Sequence, residues 1–319
     1  MVAHMTELSI VIRTHNCRDT LRECLACLSA QTYRGAELIV VDSGSTDRTA
    51  EAALAGGARV LSVSGSAFTY GGTLNRGFAA ASGRFLCSLS AHSLFLEPTF
   101  LERLVASLRE AGPRVAAVYG CPVFEDGPAR RAPAPEPDDR ITWQAFSKCC
   151  NLGLSNSCSI VRRELWEQQP FAPERCEDQK WAAYHLERGF ETLCVRSARY
   201  RYRLNRPWRY YVRKHRDDFL MLHRTWPRAD WPREELLDGP RVRYRFWSML
   251  QRLRQVGWKW ERLTDTQKWF ATTELGLFWA GSLLRGGRLW ALTGSADLLR
   301  ALLLPAGRKG WETPRGEWP

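Results

Sequence analysis

No stretch of this 319-residue chain reaches the roughly 18 consecutive apolar residues of a membrane span. The richest candidate, Leu275 to Leu284, is too short and runs into Arg285-Gly286-Gly287-Arg288. A cleavable leader is also missing: the first residues are polar and the first apolar run has the length of a strand, which predicts a cytoplasmic chain. No internal repeat is present, which excludes a solenoid or propeller. The ten cysteines lack the spacing of a zinc site or a disulfide framework. Cys24 and Cys27 form a single CxxC inside a helical pattern, Cys149 and Cys150 are adjacent, and the others sit among apolar neighbours; reduced core thiols are predicted. Acidic residues are scarce in one part only. Residues 1–198 hold 21 Lys/Arg and 22 Asp/Glu, whereas residues 199–319 hold 25 and 12, so the whole +12 balance comes from the second part. Eleven of the fourteen tryptophans also fall there, from Trp208 onward. The length allows one large α/β domain with an appendage.

What is present starts with residues 8–47. Leu8 to Ile12 is a short apolar run of the kind buried in a parallel sheet. Leu21, Leu25 and Leu28 then recur at helical spacing, with Cys24 beside them. Leu38 to Val41 reads as a second buried strand and runs into Asp42-Ser43-Gly44-Ser45-Thr46-Asp47. A right-handed crossover makes these strands parallel, so Thr14 to Asn16 and Asp42 to Asp47 meet at the carboxyl edge, where open α/β sheets bind ligands. By pattern alone, Asp42 serves equally well as part of a helix-start signal.

Farther along, a helix is expected from Arg48 to Ala55 and a strand from Arg59 to Val63. Phe68 to Gly77 reads as a glycine-bearing loop before a helix at Phe78–Ala81. A fourth strand, Arg84 to Leu89, ends in Ser90-Ala91-His92-Ser93. A helix from Glu97 to Leu108 and a strand at Val115–Tyr119 follow. Residues 125–140, rich in proline and charge, read as a surface loop. Asn151 to Val161 is expected to be a strand passing beneath a site, Cys176 to Arg188 a helix stopped by Gly189, and Thr192 to Val195 a last strand. From Pro207 the pattern is helical.

Arg13-Thr14-His15-Asn16, Gln31-Thr32-Tyr33 and Val41-Asp42-Ser43-Gly44-Ser45-Thr46-Asp47, in this order and spacing, closely resemble the N-terminus of family 2 glycosyltransferases. The resemblance covers about residues 7–200. It implies an α/β fold of the GT-A type, a Rossmann-like mixed sheet for nucleotide-diphospho-sugars, at residues 7–205; the composition and helical pattern beyond it are read as a basic, Trp-rich helical extension at 206–319. It also implies an inverting enzyme that moves a sugar from a UDP-, dTDP- or GDP-sugar to a hydroxyl of a glycan or lipid-linked acceptor. Thr14, Asn16, Asp42 and Ser45 are then expected around base and ribose; an ionised Asp42 only accepts hydrogen bonds and suits an imide N–H or a ribose hydroxyl. Asn75, Arg76 and Ser90 are expected near ribose or phosphate, although a solvated surface charge describes Arg76 as well.

Most members of the family end the fourth strand in Asp-x-Asp, whose carboxylates hold a divalent ion. Ser90, Ala91 and His92 stand there in this chain, as in some polysaccharide-type and rhamnosyl-type relatives. His92 would ligate Mn2+ better than Mg2+, or donate to phosphate as a cation. Glu177-Asp178-Gln179-Lys180-Trp181 is similar to the family's Glu-Asp-x-x-Trp signature. It implies Asp178 as general base, Glu177 as its alternate, and Trp181 as a wall of the acceptor site or a core residue; acids complementing a helix dipole are the plainer reading. The family often places a metal-ligating histidine shortly after the last strand; none occurs around residues 199–204 and His215 lies too far downstream to carry over, so Arg201 or Arg203 could replace a metal by neutralising diphosphate directly.

Arg199 to Arg216 interleaves Arg with Tyr and Trp, which suits a membrane surface or a lipid-linked diphosphate. Nucleic acid is not expected, since no groove-reading motif occurs. Amphipathic attachment to the inner membrane face competes with helices packing on the catalytic domain or on a second subunit of a homodimer. Two rivals remain: a tailoring enzyme for a soluble natural product or peptide, and a catalytically lapsed nucleotide-sugar scaffold.

Overall fold

In the computed structural model the described residues are 6–123, 138–148, 153–202, 208–225 and 272–273. The chain divides into two compact units, 1–203 and 204–319. In the first, β1 (Leu8–Thr14), α1 (Arg18–Ser29), β2 (Glu37–Asp42), α2 (Thr49–Ala55) and β3 (Arg59–Ser62) alternate. Then come α3 (Tyr70–Ala80), β4 (Phe85–Ser90), β5 (Ser93–Phe95), α4 (Phe100–Glu110) and β6 (Val115–Val123). β7 (Asp139–Ile141), α5 (Trp143–Lys148), β8 (Cys158–Arg162), α6 (Arg163–Gln168), α7 (Glu177–Leu186) and β9 (Glu191–Tyr202) complete it. In the second unit α8 (Trp208–Thr225) is the principal described element.

The strands form one mixed sheet in the order β3-β2-β1-β4-β8-β6-β9-β5, with β7 also on β9. β1 pairs in parallel with β2 on one side and β4 on the other, so the strand order reverses at β1. That switch point opens a crevice at the carboxyl ends of β1 and β4. Strand register puts four residues level there: Thr14 lies opposite Asp42, and Arg13 opposite Ser90. β8 runs antiparallel to both β4 and β6.

Strands buried on both faces explain the apolar runs: Leu8, Val11, Ile12, Ile39, Val40 and Val41 have no exposed surface. α1 turns Leu21, Cys24 and Leu25 onto the sheet, and α4 does so with Phe100, Leu101, Leu104, Val105 and Leu108. Burial pushes the Cys24 thiol well above its ordinary value, as expected of a core cysteine. No disulfide joins the described cysteines.

The expected loop at Phe68 to Gly77 is instead helix from Tyr70, with Thr69 accepting from the Gly72 N–H as its cap. The glycines permit close packing rather than a turn. A Cβ on Gly71 would lie 1.8 Å from the Ala172 carbonyl oxygen, and one on Gly77 would lie 2.2 Å from Val11 Cγ1. Local propensity penalises glycine in a helix, and tertiary contact overrides it here. β9 is also far longer than Thr192–Val195, because its second half pairs with β5. Of the expected loop at 125–140, residues 125–137 lie outside the described residues, while Asp139 and Arg140 belong to β7.

Candidate active site

Two turns meet at the carboxyl edge. Asn16 adopts a left-handed conformation (φ 46°), and its amide meets the turn after β2. Its backbone N–H donates to Ser45 Oγ at 2.8 Å, and its Oδ1 accepts the Thr46 N–H at 2.8 Å. Asp42 is 4 % exposed. Its Oδ1 accepts the Thr14 hydroxyl at 3.0 Å and the Ser45 hydroxyl at 2.5 Å, and its Oδ2 accepts the Ser45 N–H at 2.9 Å. Thr14, Asn16, Asp42 and Ser45 therefore form one network. A carboxylate offers about four acceptor positions, so roughly one on Asp42 stays open to a donor. Asp47 ties the same turn to the helices on either side of it, accepting the N–H groups of Arg18 and Thr49.

At the end of β4, Ser90 Oγ lies 2.9 Å from His92 Nε2. The His92 ring stands edge-on to Tyr202 at 5.1 Å. A hydroxyl and one imidazole are a sparse donor set for a cation, and among the described residues no three His, Cys, Asp or Glu side chains gather. These residues do not by themselves make a divalent-metal site. Arg201 faces Leu94 in the β5–β9 register, and strand alternation projects it from the face opposite Tyr200 and Tyr202. Arg203 lies outside the described residues.

The start of α7 supplies the carboxylates. Its N-cap, Cys176, is left-handed (φ 60°), a strained geometry for a non-glycine residue that turns the chain sharply into the helix. Glu177 is 5 % exposed and Asp178 is half-buried. Glu177 Oε1 accepts from Arg13 Nη1 at 3.0 Å and from Asn156 Nδ2 at 3.3 Å. Asp178 Oδ2 accepts the Asn156 N–H at 3.2 Å, and Oδ1 the Gln179 N–H at 2.9 Å. Glu177 is thereby held in an ion pair with Arg13.

One expectation changes, and two stated alternatives are narrowed. Asn75 does not face the crevice as a free amide: Oδ1 accepts the Trp166 indole N–H at 2.9 Å and the Phe171 N–H at 3.1 Å, while Nδ2 donates to the Phe171 carbonyl at 2.8 Å. It clamps α3 to the segment before α7. Trp181 is core, not an acceptor wall. It is 2 % exposed, its indole N–H donates to the Gln169 carbonyl at 2.8 Å, and its ring packs on Phe171 and His185. Arg76 is exposed on α3. Sequence reasoning missed Arg13 and Asn156, both joined to the α7 carboxylates. The one available signal was polarity inside apolar strand patterns.

Comparison with known proteins agrees with this architecture. The sequence model described as Glycosyl transferase family 2 matches residues 9–168, half of the chain. The O-antigen chain rhamnosyltransferase WbaN of Salmonella anatum is 27% identical over 215 residues, covering 63% of this chain and 67% of that protein. An uncharacterized glycosyltransferase of Rickettsia typhi is 30% identical over 112 residues, about a third of either chain (35%). Among solved structures, the mannosyltransferase PcManGT from Pyrobaculum calidifontis, in complex with GDP-Man and Mn2+, superposes with a TM-score of 0.60 at 16% identity, covering 88% of this chain and 87% of that one. Glucosyl-3-phosphoglycerate synthase from Mycobacterium tuberculosis, with Mn2+, UDP and glucosyl-3-phosphoglycerate, gives 0.51 at 24% identity over 70% of this chain and 81% of that one.

Proposed function

This chain belongs to glycosyl transferase family 2 and has the GT-A fold, and from that premise we propose that it transfers a sugar from a nucleotide diphosphate to an acceptor hydroxyl with inversion, using Asp178 as general base. The observation that carries the reading is that the Thr14–Asn16–Asp42–Ser45 network and the start of α7 are both tied to the end of β1, at the switch point. In this reading the nucleoside occupies the turn network, donating to the open acceptor position of Asp42. Asp178 takes the acceptor's proton as the acceptor oxygen attacks the anomeric carbon. The new glycosidic bond forms opposite the breaking bond to diphosphate, and the nucleoside diphosphate departs with that electron pair. In this reading the departing phosphates meet Ser90 and His92 at the end of β4, where side-chain donors offset developing charge.

The relative from Salmonella, an O-antigen chain rhamnosyltransferase, favours a deoxyhexose donor and a glycan chain as acceptor; a lipid-linked acceptor at a membrane face is part of this reading. Among the described residues no helix is long and apolar enough to cross a membrane, so attachment would be peripheral, through the basic, Trp-rich second unit. Mn2+ and Mg2+ are the cations to add in assays; His92 is the described imidazole that would meet one, and other ligands would have to complete its shell. The deciding experiment is donor turnover by Asp178→Asn, with UDP-, dTDP- and GDP-sugars screened for binding first. Turnover should fall by about 10³-fold or more while nucleotide affinity stays within about threefold. Wild-type turnover in the variant would sink the base assignment; nucleotide binding without any turnover by the wild-type protein, across a broad acceptor panel, would favour the scaffold reading.

A further inference from the structure

Arg13 is the one charged residue in β1, and the rest of that strand is buried. Its guanidinium meets three partners. It pairs with Glu177 at 3.0 Å, donates to the Tyr70 carbonyl at the start of α3, and lies 5.6 Å from the Tyr70 ring centroid. The Glu177 side chain is only 7% exposed, so its charge requires a partner: a buried carboxylate with none would protonate or drag the helix start toward water. Arginine fits this place better than lysine, because its Nη1 donates to both acceptors while the planar guanidinium lies over the Tyr70 ring.

Asn156 extends the same network. It is 4% exposed, its side-chain amide reaches Glu177, and its backbone N–H reaches Asp178. Its carbonyl accepts the Ser88 hydroxyl at 2.9 Å and its Oδ1 accepts the Ser159 hydroxyl at 3.1 Å, which anchors it to β4 and β8. Both carboxylates of α7 are therefore held by one residue, and one of them is neutralised by a strand that ends in the nucleoside turn. Thr14, the next residue of that strand, holds Asp42.

We propose that Arg13 and Asn156 are positioning residues for glycosyl transfer: they fix Glu177 in a buried ion pair and so set Asp178, one residue on, at the crevice with the nucleoside turn on the same strand end. This rests on Asp178 being the base. Glu177 is then an anchor and not a substitute base.

Arg13→Met and Arg13→Met/Glu177→Gln decide it against wild type. Melted without substrate, Arg13→Met should unfold about 5 °C or more below the double variant. It alone leaves a buried carboxylate without its cation, whereas the neutral amide that Glu177→Gln introduces still accepts from Asn156. Equal melting of the two overturns the proposal. Donor hydrolysis is the second readout, with UDP-glucose, GDP-mannose and dTDP-rhamnose as probes. Arg13→Met should lose about 30-fold or more in kcat with donor KM within about threefold, and the double variant should recover to within about fivefold of wild type. A rise in KM at unchanged kcat, or a loss shared by the double variant, overturns it. Should Arg13→Met not fold, Arg13→Lys replaces it, with lowered kcat and unchanged KM expected. Asp178→Asn separates the two ideas. If it turns over donor like wild type, the base reading fails; if it is inactive while Arg13→Met keeps full kcat, the positioning role fails and the base reading stands. If none of the three donors is turned over, the melting comparison alone decides.

Discussion

Replacing His185 with leucine should remove most of an acid sensitivity built into the helix that carries Asp178. His185 is 1% exposed, and neither ring nitrogen has a hydrogen-bond partner. Its ring is enclosed by Trp181 at 4.1 Å, Tyr184 at 5.1 Å and Phe190 at 5.6 Å. Burial, helped by the charge of Arg188, pushes its pKa down from 6.5 to about 4. The unfolded chain therefore binds a proton between pH 6.5 and 4 that the folded protein refuses, so stability is intact above pH 6.5 and falls as pH drops through that window. At ~1.4 kcal/mol per pH unit, the loss fully developed below pH 4 is roughly 3 kcal/mol. By pH 5.5 it is about 1.4 kcal/mol relative to pH 7.5. Urea unfolding followed by tryptophan emission, which Trp181 reports, would be compared at pH 7.5 and 5.5 for wild type and His185→Leu. The variant should be at least as stable at pH 7.5, since two orphaned nitrogens are gone, and should lose about 1.4 kcal/mol less on acidification. Equal losses in the two proteins would refute the reasoning.

Gly71→Ala puts a methyl group into the Ala172 carbonyl, which is backbone and cannot swing away; about 2–3 kcal/mol of destabilisation is expected in thermal or urea melts, with α3 pushed off the segment before α7. Arg162→Met should cost roughly 3 kcal/mol or more, because the buried guanidinium donates to the carbonyls of Leu108, Gly112 and Val115 and caps the end of α4. Circular dichroism melts measure it, and an unchanged midpoint would count against that capping role. Asp42→Asn should weaken nucleoside diphosphate binding about tenfold or more by calorimetry, since a neutral amide replaces an acceptor-only carboxylate within the turn network.

The parts legible in sequence are those whose interactions are close in the chain. The β1–α1–β2 unit shows in its periodicity, and the Asp42–Ser45 turn spans three residues. The carboxyl-edge position of Thr14, Asn16, Asp42 and Ser45 follows from two short parallel strands, and the structure joins all four. Phe68 to Gly77 reads as a loop because a glycine reports low helix propensity and says nothing of the Ala172 backbone that requires it. Asn75 looks like a ligand contact because a polar residue near a motif looks functional, and sequence leaves Trp181 between core and acceptor wall. Their partners, Phe171 and Gln169, are supplied by the chain segment leading into α7.

Sequence alone determined the family, the sheet edge that bears the site, and the two adjacent carboxylates at the head of α7. Only the tertiary structure shows that Glu177 is ion-paired to Arg13. Arg13 and Glu177 are 164 residues apart, and their meeting depends on β1, α3 and α7 packing together. Charge in a buried place is settled by whichever opposite charge the fold delivers to it, and no local pattern encodes that. The same holds at the end of β4, where Ser90 and His92 stand in place of carboxylates: the chain names them, and the packing against Tyr202 orients the imidazole.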